Sequence, residues 1–166
     1  MWREVRRLWD GKLAPIPPGL IGPTVSDCPR SFLVDVGLPT DGPLGVTFYD
    51  NERLLSSLSI GGADYLLLGY DYGTILSVKA GTDEIWSVNP SGEYHPRFVN
   101  SRLSYFIAFL GIYDSRSDDR ERASDEQHEV IVQEIRRQFI SRDACALDDM
   151  ESWWSLVLEQ MSQGLL

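Results

Sequence analysis

Asp64-Tyr65-Leu66-Leu67-Leu68-Gly69-Tyr70, a break at Asp71-Tyr72-Gly73, then Thr74-Ile75-Leu76-Ser77-Val78-Lys79-Ala80: this stretch decides the fold class. Both runs are rich in aliphatic and aromatic residues that fit a pleated surface, and the break between them carries turn formers. Comparable runs flank them, Val46 to Tyr49 before and Glu84 to Asn89 and Tyr94 to Val99 after, divided by Ala80-Gly81-Thr82-Asp83 and Pro90-Ser91-Gly92. Parallel neighbours need a crossover of about a dozen residues, which breaks this short cannot hold. The expectation is an antiparallel meander.

On either side the apolar period becomes helical. Upstream, Ser26 to Val36 reads as a helix: Ser26 serves as N-cap, Pro29 is tolerated in the first turn, Phe32, Leu33 and Val36 recur on one face, and Gly37 ends it. Met1 to Asp10 carries Val5, Leu8 and Trp9 on one side of a short helix, after which Pro15, Pro17, Pro18, Gly19, Gly22 and Pro23 enforce an extended linker over the domain surface. Downstream, Leu103, Phe106, Ile107, Leu110 and Tyr113 follow helical spacing behind a Ser101 cap, an apolar stripe for the sheet. Asp114 to Ala123 is charged, has no apolar period, and reads as a solvated loop. A capping-box pattern, Ser124 to Gln127, opens a second helix that turns Ile131, Val132, Ile135 and Phe139 inward. A third begins near Asp148, with Met150, Trp153, Trp154, Val157 and Met161 as its stripe and Gly164 at its end. The predicted class is α+β, an antiparallel β-meander sheet packed against N-terminal and C-terminal helices. Residues 1–25 form an N-terminal arm and 26–166 a single domain.

At 166 residues, 43% apolar and 24% charged, the chain is long enough for one packed core. Its basic start is broken by prolines and glycines before an apolar segment forms, which does not fit a signal peptide. Continuous apolar runs such as Tyr65 to Leu68 are far below the ~20 residues a spanning helix needs. Cys28 and Cys145, distant from each other and from any CxxC pair, read as reduced thiols in or near the core, which suits a cytoplasmic protein. With His95 and His128 as the sole histidines, a zinc site would lack ligands.

The formal net charge of −10 argues against a nucleic-acid partner, since phosphate binding needs clustered lysine and arginine. A basic protein is the better electrostatic match. The excess is uneven: through Tyr113 there are 12 acids and 9 bases, net −3, and beyond it 13 acids and 6 bases, net −7. The densest part is Asp114, Asp118, Asp119, Glu121, Asp125, Glu126 and Glu129, interrupted by Arg116, Arg120 and Arg122.

A search for chemistry returns little. No G-x-S-x-G elbow, phosphate loop or dinucleotide fingerprint is present, and Gly61-Gly62, Gly69 and Gly73 read as turn residues. Asp83 with Glu84, and Asp148 with Asp149, are neighbouring carboxylates that fit a turn and a helix start better than acid/base catalysis. Trp86, Trp153 and Trp154 are expected to shape the core. Tyr70 and Tyr72, which alternate around a turn, are candidates for partner contact, with packing as the alternative. No catalytic residue, cofactor or metal is expected.

Taken in order, Phe32-Leu33-Val34-Asp35-Val36-Gly37-Leu38-Pro39, Tyr65-Leu66-Leu67-Leu68-Gly69, Ile85-Trp86-Ser87-Val88-Asn89-Pro90, Arg97-Phe98-Val99-Asn100-Ser101 and the ending Trp153-Trp154-Ser155-Leu156-Val157-Leu158-Glu159-Gln160 resemble the SUKH-4 group of the SUKH superfamily, to which Smi1/Knr4-type proteins also belong. The resemblance spans about residues 26 to 166. It implies an α+β domain whose relatives act mainly as bacterial immunity proteins in polymorphic toxin systems, each blocking a cognate toxin that is often a nuclease or nucleic-acid deaminase. It implies no shared catalytic constellation, and it transfers no toxin-binding position to this chain. The expected function is therefore that of an antitoxin whose acidic exterior meets a toxin's basic surface. Candidate contacts are Tyr70, Tyr72, Asp114, Asp118, Asp119, Glu121, Asp125, Glu126 and Glu129. The rivals are a non-catalytic regulatory or scaffolding module of Smi1/Knr4 type and, third, an enzyme built on His95 or His128.

Overall fold

The computed structural model describes residues 2–166, apart from the side chain of Asp125. Its sheet is the expected antiparallel meander: β5 (Ala63–Asp71), β6 (Thr74–Lys79), β7 (Ile85–Val88) and β8 (Arg97–Asn100) follow one another in space as in sequence. The registers pair Tyr65 with Lys79, Ser77 with Trp86 and Trp86 with Phe98, which puts these residues on one face, while Leu66, Leu68, Leu76, Val78 and Ile85 enter the main core. Two short strands share the other edge of β5: β3 (Thr47–Phe48) and β4 (Ser57–Ile60). Close pairing of β3 requires Gly69, because a Cβ there would lie 2.2 Å from the Thr47 carbonyl oxygen. β4 escapes the sequence reading because its exposed serines alternate with only Leu58 and Ile60 over a single short run. The final strand is shorter than expected and begins at Arg97 rather than Tyr94.

The N-terminal helix is α1 (Trp2–Trp9), Met1 lying outside the described residues, and α2 spans Asp27–Asp35. Between them, β1 (Leu13–Ala14) pairs with β2 (Leu38–Pro39). Val5 and Trp9 are buried in the same core as the sheet. The Trp9 indole N–H donates to the Ile107 carbonyl at 3.0 Å. Gly111 makes this approach possible, since a Cβ there would sit 2.9 Å from the Trp9 indole nitrogen. Ser26 stands before α2 as expected, but its hydroxyl donates to Asp83 and Thr82 of the β6–β7 turn instead of capping the helix with its side chain.

The centre is α3 (Leu103–Asp114), in which every residue from Leu103 to Tyr113 except Tyr105 is buried. It is not the one-sided helix that the spacing suggested: α1, the sheet and the C-terminal helices surround it, so an all-round apolar sequence is the physical requirement. Its N-cap is Arg102, not Ser101. Two further elements follow, α4 (Ser117–Glu121), which replaces the expected solvated loop, and α5 (Asp125–Asp143). The capping box forms in both directions, with the Ser124 N–H donating to Gln127 Oε1 at 3.0 Å and the Gln127 N–H to Ser124 Oγ at 3.4 Å. Val132, Ile135 and Phe139 are buried, and Phe139 stacks on Phe109 of α3 at 3.9 Å between ring centres.

The last helix, α6 (Trp153–Ser162), starts later than expected, because Ser152 is its cap and accepts from the Ser155 N–H. Met150 is consequently outside the helix and 86% exposed, not part of the stripe. Gly164 at φ 69° closes α6 as expected. Trp153 and Trp154 are buried, whereas Trp86 is only half-buried on the outer sheet face, where Phe98 meets it edge-on at 5.6 Å. Cys28 and Cys145 are both exposed and unbridged, which corrects the expectation of core thiols. No described helix is long and apolar enough to cross a membrane.

Candidate functional site

The C-terminal half holds a buried polar relay. Asp143, at the end of α5, accepts hydrogen bonds from Asn100 Nδ2 at 2.9 Å, the Ser101 N–H at 2.8 Å and the Ser101 hydroxyl at 2.9 Å. Asn100 is fully buried at the end of β8, and its carbonyl oxygen accepts the Trp154 indole N–H at 2.8 Å. The neighbouring Trp153 indole donates to Asp71 at 2.7 Å, and Asp71 also accepts from Thr74 at the β5–β6 turn. Two consecutive tryptophans thus staple α6 to opposite ends of the sheet. This network fixes the segment from Ala144 to Ser152, which leaves α5 as a 3-10 turn over Ala144–Leu147.

On that base stands an exposed corner. Asp148, Asp149, Met150 and Glu151 all face solvent, and among the described residues none of the three carboxylates forms an ion pair. Between the corner and β8 runs a cleft of about 510 Å³, lined by Trp86 and Phe98 together with Tyr94, Arg97, Asp148 and Asp149. It continues into a smaller hollow of about 270 Å³ that shares Tyr94, His95 and Arg97 and ends at Tyr72. Tyr72 is 88% exposed and Tyr94 66%. Exposed tyrosines around a recess are the residue type that anchors protein interfaces, because they cover much area at little entropic cost.

The expected acidic stretch lies elsewhere, on a shoulder formed by the end of α3, α4 and the start of α5. There two interleaved cations act locally, Arg116 pairing with Asp119 at 3.2 Å and Arg122 with Asp118 at 3.8 Å, and Lys12 from the N-terminal segment pairs with Asp114 at 3.7 Å. Arg120 lies over the Tyr113 ring at 3.8 Å, and two of its nitrogens are buried without a hydrogen-bond partner among the described residues. Glu121, Glu126 and Glu129 remain without an ion pair among the described residues, and the Asp125 side chain lies outside them. The structure therefore separates the candidate contacts. Tyr72 lines the smaller hollow, Tyr70 turns to Tyr49 at 5.7 Å, and the acids from Asp114 to Glu129 belong to the shoulder.

Tyr94, Arg97 and Glu151 are not among the contacts that the sequence singles out, and Asp148 and Asp149, which fit a helix start by sequence, stand before it: the helix begins four residues after Asp149. The available signal was the run Asp148-Asp149-Met150-Glu151, three acids and a large apolar residue with no interleaved base.

Of the histidines, His95 is exposed in the cleft and, among the described residues, makes neither hydrogen bond nor ion pair. His128 Nε2 lies 2.8 Å from the Met161 carbonyl oxygen, an α5–α6 contact. A general base needs a partner that orients it, and although His95 shares its cleft with Asp148 and Asp149 and His128 shares a hollow with Glu121 and Glu129, neither is hydrogen-bonded to a carboxylate among the described residues. No group of three or more metal-ligating side chains is brought together among the described residues. Partial burial, with the Asp83 carboxylate beside it, pushes the Cys28 thiol above its ordinary range, which weakens it as a nucleophile.

No curated protein and no solved structure matches the chain. The family model of the SUKH-4 immunity proteins matches residues 24–160, from the turn before α2 almost to the end of α6. The match covers most of the chain, including the meander, α3, the buried relay and the corner, and so the chain belongs to the SUKH-4 immunity protein family.

Proposed function

We propose that this protein is the antitoxin of a bacterial polymorphic toxin system, which binds a cognate toxin and neutralises it in the cytoplasm. Family membership across residues 24–160 is the observation that carries this reading. The charge supports it: an exterior with net charge −10 suits a partner with a basic surface, such as a nuclease or nucleic-acid deaminase whose lysines and arginines hold substrate. Complementary potentials speed encounter and reject wrong partners, while a few buried anchors set the lifetime of the complex. Neutralisation then needs no chemistry from the antitoxin. It needs only that the toxin's substrate surface be covered.

The test is co-expression with the product of the adjacent gene. The expected result is protection of the cells and a complex that survives gel filtration. Unprotected cells, together with separate elution of the two proteins, would count against the antitoxin.

A further inference from the structure

We infer that the cleft between β8 and the 148–151 corner is the docking surface, and that it receives an arginine- or lysine-bearing loop of the toxin. This rests on the antitoxin reading and adds to it a face and the chemistry of its occupant.

Three observations converge on the cleft. First, Asp148, Asp149 and Glu151 present their carboxylates without an ion pair from any described residue, so their attraction for an incoming cation is not already spent. Second, the recess beside them is partly aromatic, with Trp86, Phe98 and Tyr94 among its lining residues. An ammonium or guanidinium can thus rest against a ring while a carboxylate holds it, the arrangement in which cation–π attraction adds to charge pairing. The chain already uses this chemistry on itself, with the Lys79 ammonium 5.4 Å from the centre of the Trp86 ring. Third, the corner is held from beneath by the Asp143–Asn100–Trp154 relay, so little ordering entropy is lost when a partner arrives.

Charge selects the occupant. An acidic or phosphorylated segment would meet three carboxylates against Arg97 and, over the Trp86 ring, a Lys79 that already pairs with Glu84. A basic loop meets complementary charge and leaves Arg97 for an acid on its own flank. Exposed Met150 in the corner and exposed Tyr72 in the smaller hollow supply apolar contact beside the charged residues.

The test compares two sets of charge-neutralising substitutions in the full chain, Asp148→Asn with Asp149→Asn and Glu151→Gln, and Glu121→Gln with Glu126→Gln and Glu129→Gln. Binding to the purified, catalytically inactivated product of the adjacent gene is measured by calorimetry. The corner set should weaken binding about tenfold or more and the shoulder set less than about threefold. Tyr94→Ala, which removes a ring without touching charge, should also weaken it about tenfold. All the substituted side chains are exposed, and circular dichroism confirms that the variants fold. If the shoulder set costs more than the corner set, the cleft is overturned while the antitoxin reading stands. If the unmodified chain fails to bind, both fall. A capped penta-arginine peptide probes the cleft separately: it should shift the Trp86 indole N–H resonance of the unmodified chain and leave the corner variant unmoved. Shifts confined to α4 and α5 would also overturn the cleft.

Discussion

The shoulder and the corner are both acidic, and they are built in opposite ways. On the shoulder, Asp114, Asp118 and Asp119 are each answered by a nearby cation of the same chain. At the corner Asp143 is buried and serves the fold, while Asp148, Asp149 and Glu151 after it meet solvent and form no ion pair among the described residues, with Arg97 lining the same cleft. The field that a partner feels depends on this local cancellation more than on the count of acids, because exposed pairs separated by less than a Debye length largely screen one another from afar. The longer acidic stretch therefore leaves three glutamates, Glu121, Glu126 and Glu129, without an ion pair among the described residues, the same number as the corner's three acids.

The strongest way to break the contrast is to remove the support under the corner. Asp143→Ala strands the buried Asn100 amide and the Ser101 N–H, and loosens the Asn100 carbonyl that receives Trp154. We expect a loss of about 3 kcal/mol in urea unfolding, the cost of orphaning buried donors to a charged acceptor. Asp143→Asn keeps one acceptor oxygen and should lose less. A change under about 0.5 kcal/mol, the range of an ordinary surface substitution, would show that the corner does not rest on the relay.

The relay also marks the limit of what can be read from the chain alone. The meander was legible because β-branched and aromatic runs with short breaks admit one topology, and β5, β6 and β7 fall where those runs stand. The capping box was legible for a similar reason, since Ser124 and Gln127 act over one helical turn. Asp143 and Asn100 lie 43 residues apart, and no local pattern signals that a polar pair at such a separation is buried together. The arginines within the acidic stretch can be read locally, since Arg116 and Arg122 pair with Asp119 and Asp118 within one helical turn, but the pairing of Lys12 with Asp114 joins residues 102 positions apart and has no local signal. Met150 was counted with Trp153 and Trp154 by helical spacing, but the Ser152 cap sets the boundary that excludes it.

The exposed thiols sharpen the contrast next. Cys145 lines the cleft and Cys28 does not. Because burial and Asp83 push the Cys28 thiol up, it stays protonated further into the alkaline range, and a bulky maleimide at neutral pH should modify Cys145 first. The singly labelled chain should bind the toxin about tenfold more weakly if the cleft is the docking face, as expected for blocking an anchor pocket. Unchanged affinity would point to the shoulder. As a check on the cause, Asp83→Asn removes a charge that raises the Cys28 thiol, so its alkylation rate should increase at a given pH.

A smaller effect separates local from electrostatic support within the shoulder. Ser124→Ala removes one half of the capping box and should cost about 1 kcal/mol in unfolding, with 2 M salt leaving that difference nearly intact. If salt abolished the difference, charge rather than the cap would be holding the start of α5.

The least costly change asks the sharpest question. Arg122 and Asp118 are 81% and 77% exposed at 3.8 Å, so Arg122→Gln should alter stability by no more than about 0.5 kcal/mol. It nevertheless releases Asp118 and makes the shoulder more negative by one charge. If a basic toxin docked there, the gain would appear as a faster association rate at low salt, fading as ionic strength rises. If it docks at the corner, the released charge lies away from the contact, and the association rate should stay within about twofold of the unmodified chain at any salt. Stopped-flow association against the inactivated toxin distinguishes the two. An accelerated rate in this variant, joined to an unaffected rate in the corner variant, would transfer the docking face to the shoulder.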